Sequence, residues 1–393
     1  MANVIKLKRG TSTPTTSDIV NGEVALDTSA QKLFVNDGGT VKEIGGGGGV
    51  ESDAQDNTVA GTNAGDSFDG TNAEGNTLFG KNAGTAITTG DQSTCVGKDA
   101  GKSITTASRL TAIGHRAGED VTGQNNTIVG ANSALAITSG QGNTIMGVGA
   151  ADTGNRSSIT AIGYGALGDS VQDQNTAVGY NAGKNASNNC TFVGYKAGEN
   201  ASGNSNTIIG DIAFSTTNSG NQNTVLGYEG LKSYNDTGTN PFQGSTAVGR
   251  RSLFSATNGN HNVAVGRLSG YSVTTGDENV ILGSLAGYGT DGTGALTTGS
   301  NNILIGHEVL PSAAGVDNEI TLGNSSITKF RIPALSFSIS ASAVTNGAAF
   351  YENAKTVAAD YTLSGSNAMA AGPITVNSSV TVTISSGDTL TIV

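Results

Sequence analysis

Most residue types that mark common protein classes are scarce in this chain. Its 393 residues include no tryptophan, five prolines, two cysteines and only 13% charged residues. No apolar run is long enough to cross a bilayer, so we expect no membrane insertion. The opening residues, MANVIKLKRG, lack the apolar core of a signal peptide, so we expect synthesis in a cytoplasm and no export by the usual route.

Positive charge is also limited. The 20 Lys and Arg residues are outnumbered by 31 Asp and Glu residues, which gives a formal net charge of -11. Sequence-independent binding to nucleic acid requires a basic surface, so a nucleic-acid partner is not expected. His115, His261 and His307 lie far apart in the chain, without the spacing of metal ligands. We therefore expect no metal site and no cofactor.

Glycine, by contrast, is abundant. The 59 glycines do not fall at every third position, which excludes collagen. Instead, the stretch NTAVGYNAG at 175–183 returns in edited form, for example as NTLFGKNAG at 76–84. We call the glycine at its fifth position the anchor glycine. It recurs sixteen times, mostly every 16 or 17 residues, as Gly61, Gly80, Gly97, Gly114, Gly130, Gly147, Gly163, Gly179, Gly194, Gly210, Gly227, Gly249, Gly266, Gly283, Gly306 and Gly323.

This period predicts an all-β fold whose shaft is a parallel β-solenoid. It is too short for a helical repeat, but it suits one coil with two short strands and two turns. Stacking the coils buries apolar residues that a single coil cannot bury. At roughly 4.8 Å per coil, the repeats would build a rod about 70 Å long.

The residues around the anchor glycine predict self-association. The two residues before it are nearly always apolar, such as Leu78 and Phe79. Neighbours in a strand point to opposite faces, so both faces must be buried. One face fills the coil interior, and the other requires a partner surface. Because every coil repeats this requirement, we predict association of identical chains about a cyclic axis.

Other repeat positions predict the geometry of the coil. The third residue after the anchor glycine is nearly always small, with Val309 as the exception, which indicates a tight corner. Asparagine opens ten of the first fifteen repeats and can form a hydrogen-bonded ladder. The anchor glycine predicts a positive φ or a close backbone approach. Cys95 and Cys190 lie six coils apart, about 29 Å at the strand spacing, which predicts two free thiols.

The pattern N-T/S-x-[VI]-G-x-x-A resembles the left-handed parallel β-roll repeats of trimeric autotransporter adhesin heads, which also occur in bacteriophage fibres. The resemblance covers residues 57 to about 323, roughly two thirds of the chain. It implies a homotrimer.

The N-terminal residues have a different pattern. The stretches VIKLKR, GEVALD, QKLFVN and TVKEI predict four short strands, and NDGG at 36–39 predicts a hairpin turn. Their order resembles the small β module at the N-terminus of phage tropism-determinant and fibre proteins, which lies at the end nearest the virion. Five glycines at 45–49 open a Gly-rich linker at 45–56.

The C-terminal residues leave the repeat at about 325. ITKFRIPA is expected to cap the solenoid, and alternation of Val380, Val382 and Ile384 predicts β structure near the end. The tail resembles the terminal segment of several marine-phage structural proteins, of cyanophage type. The sequence shows neither the heptad stalk nor the membrane anchor of a bacterial autotransporter, which favours a phage virion protein.

Together these patterns predict a homotrimeric, non-enzymatic phage fibre on the tail or the capsid. It comprises an attachment module at 1–44, a linker at 45–56, a shaft at 57–324, and a cap and tip at 325–393. The expected partners are two further copies of the chain, virion tail or capsid proteins at the N-terminal region, and a host surface glycan or outer-membrane receptor. The expected location is the virion.

Host contacts are predicted at three places. One is the first of two insertions, KSYNDTGTNPFQGS, which lies between Gly227 and Gly249, and the second is an arginine cluster. The third is the C-terminal tip at 334–393. The residues are Tyr234, Phe242, Arg250, Arg251, Arg267, Phe350, Tyr351 and Tyr361. Tyr164, Tyr180 and Tyr195 occupy one position in consecutive coils, so they should form a stacked ladder. This ladder either only stabilises the coils or also stacks against sugars.

Three other functions remain open. A glycan-cleaving phage spike would need paired carboxylates in a groove, for which Glu308, Asp317 and Glu319 are the local acidic cluster. A bacterial trimeric surface adhesin would need export signals. An ice-binding solenoid would need a second outward threonine in each coil.

Overall fold

The computed structural model describes residues 7–29, 32–44, 52–216, 219–232, 242–289, 294–332 and 375–392, together with strand segments at 337–340, 356–357, 361–363 and 368–370. These residues form strands, turns and bends, and none of them is helical. The chain divides into two compact units, Met1–Asn324 and Ser325–Val393. The predicted all-β class is confirmed.

A four-stranded sheet comes first. Its strands are β1 (Lys8–Gly10), β2 (Val24–Asp27), β3 (Lys32–Asp37) and β4 (Thr40–Ile44). β1 lies parallel to β2, whereas β2, β3 and β4 are antiparallel neighbours. The tight turn between β3 and β4 contains Gly38 and Gly39, whose φ angles are +62° and +86°. The four strands and the hairpin turn follow the order predicted for this segment.

The repeats form a sixteen-stranded parallel sheet in strict chain order. Each repeat supplies one three-residue strand, and successive strands pair in register, as in Thr176 with Thr191. The predicted parallel β-solenoid is therefore confirmed. The strands are β5 (Thr58–Ala60), β6 (Thr77–Phe79), β7 (Thr94–Val96), β8 (Thr111–Ile113), β9 (Thr127–Val129), β10 (Thr144–Met146), β11 (Thr160–Ile162), β12 (Thr176–Val178), β13 (Thr191–Val193), β14 (Thr207–Ile209), β15 (Thr224–Leu226), β16 (Thr246–Val248), β17 (Val263–Val265), β18 (Val280–Leu282), β19 (Ile303–Ile305) and β20 (Ile320–Leu322).

The prediction of two strands per coil was wrong for the described coils. After the anchor glycine the chain enters left-handed conformations that a strand cannot contain, such as Asn181 at φ +50° and Gly183 at φ +56°. The second side of the coil is therefore made of turns. Coils still bond to each other there, because the Gly183 N–H donates to the Ala197 carbonyl at 2.9 Å.

The middle residue of each strand fills the interior of the solenoid. These residues are fully buried from Leu78 in β6 to Leu304 in β19. Alanines three residues after the anchor glycine, such as Ala182, are fully buried in the same core. The predicted tight corner is confirmed, and one continuous apolar core runs along the sheet.

The asparagine ladder is confirmed. The backbone N–H of Asn76 and its Nδ2 both donate to Asn57 Oδ1 in the preceding coil, at 2.8 and 2.9 Å. Asn76 Nδ2 also donates to the Gly90 carbonyl at 2.9 Å. Asn302 repeats the two bonds to Asn279, at 2.9 and 3.0 Å. Because these amides are buried, the ladder satisfies groups that would otherwise destabilise the stack.

The anchor glycines have the two properties predicted for them. In the first fifteen, φ lies between +127° and +145°. A Cβ on Gly179 would lie 2.2 Å from the carbonyl oxygen of Gly194, the anchor glycine of the next coil. A larger residue would therefore push adjacent coils apart.

Both cysteines are free and buried, as predicted. Cys95 lies in the core, where burial raises the pKa of its thiol to about 12. Cys190 occupies an asparagine position of the ladder, and its Sγ contacts the Gly203 carbonyl at 3.3 Å. Neither thiol is reactive in these surroundings.

The unit Ser325–Val393 begins with an antiparallel pair, β21 (Lys329–Ile332) and β22 (Phe337–Ser340). The strands β23 (Thr356–Val357), β24 (Tyr361–Leu363) and β25 (Ala368–Ala370) follow. They pair in parallel, and in the same order, with β26 (Thr375–Val376), β27 (Val382–Ile384) and β28 (Leu390–Ile392). This order is that of two stacked coils with three strands each. The sequence predicted strands here, but not this pairing.

Candidate functional site

The residue just before each anchor glycine points out of the solenoid. In β6, Leu78 is fully buried whereas Phe79 is 43% exposed, and Met146 and Leu226 are 49% and 45% exposed. Since the strands stack in register, these residues form one continuous row, which we call the apolar stripe. It comprises Phe79, Val96, Ile113, Val129, Met146, Ile162, Val178, Val193, Ile209, Leu226, Val248, Val265, Leu282, Ile305 and Leu322. Exposed apolar surface of this extent is typical of an interaction site.

A second outward row runs beside the apolar stripe. It consists of threonine in the first twelve strands of the sheet, from Thr58 to Thr246. In β17 to β20 the threonine is replaced by Val263, Val280, Ile303 and Ile320. The outward face is thus half polar over most of its length and wholly apolar in the last four coils.

The predicted tyrosine ladder is confirmed. Tyr164 and Tyr180 stack with ring centroids 5.2 Å apart, and Tyr180 and Tyr195 with centroids 5.3 Å apart. All three rings are exposed. Tyr228 stands apart, because Asp211 occupies this position in the intervening coil.

A second aromatic ladder was missed from the sequence. Phe254 stacks on Tyr271 at 5.0 Å, and Tyr271 meets Tyr288 edge to face at 5.2 Å. These rings lie five residues after three successive anchor glycines, a recurrence that the sequence already contained.

The three arginines of the predicted cluster differ in their contacts. Arg251 is engaged within the chain, since its Nε donates to Glu229 Oε2 at 2.6 Å. Lys232 binds the same carboxylate, and hydrogen bonds from Lys232 and Arg251 hold the pKa of Glu229 below its ordinary value. Arg250 lies over the ring of Tyr228 at 6.0 Å, and Arg267 is exposed in the next coil. Arg250 and Arg267 remain available for an anionic ligand.

The insertions leave the stack intact, because β15 pairs with β16 in register across the first and β18 with β19 across the second. Phe242 does not face solvent as expected. It is fully buried at a corner position where about half of the coils have glycine, so it fills the core. Tyr234, Phe350 and Tyr351 lie outside the described residues. Tyr361 begins β24, but its side chain is outside the described part.

The acidic cluster is tied to separate partners. Glu319 accepts hydrogen bonds from the Ser312 backbone N–H at 2.9 Å and from Thr321 Oγ1 at 2.6 Å. Hydrogen bonding, chiefly from Ser312, holds the pKa of Glu319 below its ordinary value. Asp317 accepts from the Ser300 N–H at 2.7 Å, and Glu308 lies 3.8 Å from His307. These carboxylates brace turns.

Within the described ranges, no three His, Cys, Asp or Glu side chains converge as a metal site would require. The same part of the chain has no helix of the length and apolarity needed to traverse a bilayer. No known protein family, curated protein or solved structure matches the chain.

Proposed function

We propose that the protein is a homotrimeric, non-enzymatic fibre of a bacteriophage virion, with the solenoid as its shaft. The observation that carries the proposal is the apolar stripe, which leaves side chains such as Met146 and Leu226 almost half exposed in a single chain. Burying apolar surface contributes about 25 cal/mol per Å². A stripe repeated in coil after coil therefore favours assembly strongly.

Copies of the same chain fit the apolar stripe best. Its residues recur at the spacing of the stacked strands, so an identical stripe can match it along its full length. Contacts that repeat at every coil suit cyclic symmetry about an axis parallel to the solenoid. The number three comes from the resemblance of the repeat to trimeric autotransporter heads and phage fibres.

The two ends of the chain have different proposed roles. The sheet β1–β4 is hydrogen-bonded as a sheet separate from the sixteen-stranded one, which supports a separate role in binding tail or capsid proteins. Its strand order also resembles modules at the virion-proximal end of phage fibres. We assign contact with a host glycan or outer-membrane receptor to the unit that follows the shaft, Ser325–Val393.

Deleting residues 1–44 tests the attachment role. The truncated protein should still assemble, because the deletion leaves the sixteen-stranded sheet untouched, but it should be absent from purified particles. Particles are produced with the truncated protein as the only copy and probed by immunogold labelling. Tyr228→Ala, a substitution on the shaft surface, is the control that should be incorporated normally. Particles that display the truncated protein at the full-length level would place attachment elsewhere.

A further inference from the structure

We propose that a saccharide binds in a groove beside the tyrosine ladder, stacked on Tyr164 and hydrogen-bonded to Asp152 and Asp169. The groove has a volume of ≈ 370 Å³ and spans three successive coils. Its lining residues follow the anchor glycine in their coils and lie outside the three-residue strands. None of these lining residues belongs to the apolar stripe.

Two glycines create the groove. The second residue after the anchor glycine has a positive φ in most coils and usually carries a side chain, as in Asn63, Asn82 and Asn132. In two consecutive coils this residue is glycine: Gly149 in the first, at φ +61°, and Gly165 in the second, at φ +60°. The missing side chains leave a notch in an otherwise filled row. Since asparagine adopts the same conformation nearby, the backbone does not require glycine here.

Tyr164 supplies an open aromatic surface at the end of the ladder. One face of its ring is covered by Tyr180, whereas the corresponding residue on the other side is the smaller Val148. Tyr164 is accordingly the most exposed of the three rings, at 57%. An aromatic ring with one open face can pack against the apolar C–H face of a pyranose ring.

Hydrogen-bond acceptors also line the groove. Asp152 is half-buried, and within the described residues no other side chain donates to it. Burial and the neighbouring charge of Asp169 raise the pKa of Asp152 above its ordinary value. Asp169 is held by Lys184 Nζ at 3.1 Å. The Asn181 Oδ1 atom borders the notch at Gly165.

These groups select a polyhydroxyl ligand. Vicinal hydroxyls of a sugar can donate to the two oxygens of a carboxylate while the pyranose ring stacks on Tyr164. A few polar groups placed beside an apolar surface are typical of ligand sites. The groove carries two carboxylates and Lys184, and the buried guanidinium of Arg156 interacts with Asp152, so the local charges are nearly balanced and a neutral ligand fits them. The small size of a single sugar limits affinity, so a Kd of roughly millimolar order is expected for one pyranose ring.

The biological meaning of this site rests on the proposed fibre function, since it places a host glycan on the shaft in addition to the C-terminal unit. Binding itself depends on one chain only. A monomeric protein that still binds sugar would contradict the fibre and leave the site standing. A trimer that binds no pyranoside would contradict the sugar site and leave the proposed fibre standing.

Saturation-transfer difference NMR on the full chain tests the site. The probes are methyl pyranosides of glucose, galactose, mannose and N-acetylglucosamine, each at millimolar concentration. At least one should receive saturation, strongest at the ring protons that face Tyr164. Tyr164→Ala and Gly149→Asn should each weaken binding at least tenfold, because one removes the stacking surface and the other fills the notch.

Two further variants complete the test. Asp152→Asn keeps the shape but removes charge and acceptor capacity, so it should weaken binding about tenfold. Tyr228→Ala removes an equivalent tyrosine that has no notch beside it, and its binding should equal that of the wild type. Circular dichroism verifies that each variant is folded. The proposal is overturned if none of the four pyranosides receives saturation, or if folded Tyr164→Ala and Gly149→Asn bind as the wild type does.

Discussion

Val178→Asp is expected to produce a chain that folds its coils but does not assemble. Val178 lies in the apolar stripe between Ile162 and Val193, and it is half-exposed in the single chain. A carboxylate there remains hydrated in the monomer. In a trimer, three such groups would be desolvated among apolar side chains, at a cost of several kcal/mol each. Because 1.4 kcal/mol is a factor of ten in affinity, association should weaken more than about a thousandfold.

Light scattering coupled to gel filtration measures the assembly, and circular dichroism measures the fold. Val171→Asp is the matched control, since Val171 is 59% exposed but lies outside the strands and off the apolar stripe. It should assemble as the wild type does. If Val178→Asp assembles fully and melts at the wild-type temperature, the outward face of the strands is not the interface.

Gly179→Ala should have the largest effect on the fold itself. The substitution combines a φ of +139° that alanine rarely adopts with a Cβ 2.2 Å from the Gly194 carbonyl oxygen. Because the contact is with backbone next to the paired strands β12 and β13, relieving it requires the two coils to move apart. We expect the free energy of unfolding to fall by about 4 kcal/mol or more, which is large for one methyl group.

Gly142→Ala separates the two causes. Gly142 also has a positive φ, +66°, but no atom lies within 4 Å of where its Cβ would be. In this control, the free energy of unfolding should fall only by the conformational cost of a left-handed alanine, about 1–2 kcal/mol. Urea denaturation of the three proteins at equal concentration gives the comparison. Equal losses for Gly179→Ala and Gly142→Ala would show that close stacking of the anchor glycines is unimportant.

The parts of the fold that repeat were predictable from the sequence. Equivalent positions in successive coils have the same burial and backbone conformation. The buried asparagine, the anchor glycine and the small corner residue therefore recur many times, and the recurrence makes them recognisable in the sequence. The number of strands per coil was not predictable in this way. The pattern shows which residues are buried, but left-handed turns and strands can bury the same residues, and only φ angles such as that of Asn181 distinguish them.

The features that the sequence did not reveal concern residues that differ between coils. Phe242 was expected at the surface because it lies in an insertion, yet it is fully buried at a corner where about half of the coils have glycine. The pairing of Arg251 with Glu229 was not predicted, because the two residues are 22 positions apart in the sequence. The groove at Tyr164 escaped notice for the same reason. It arises where two glycines replace larger residues, and only the stacking of coils brings it together with Asp152.

The central claim is that the apolar stripe is covered by two further copies of the same chain. Multi-angle light scattering of the purified full-length protein, followed over a dilution series at physiological salt, tests it most directly. We predict a single species with a mass of three times 39.1 kDa that persists on dilution. A stable, soluble species of 39.1 kDa at all concentrations would contradict the claim.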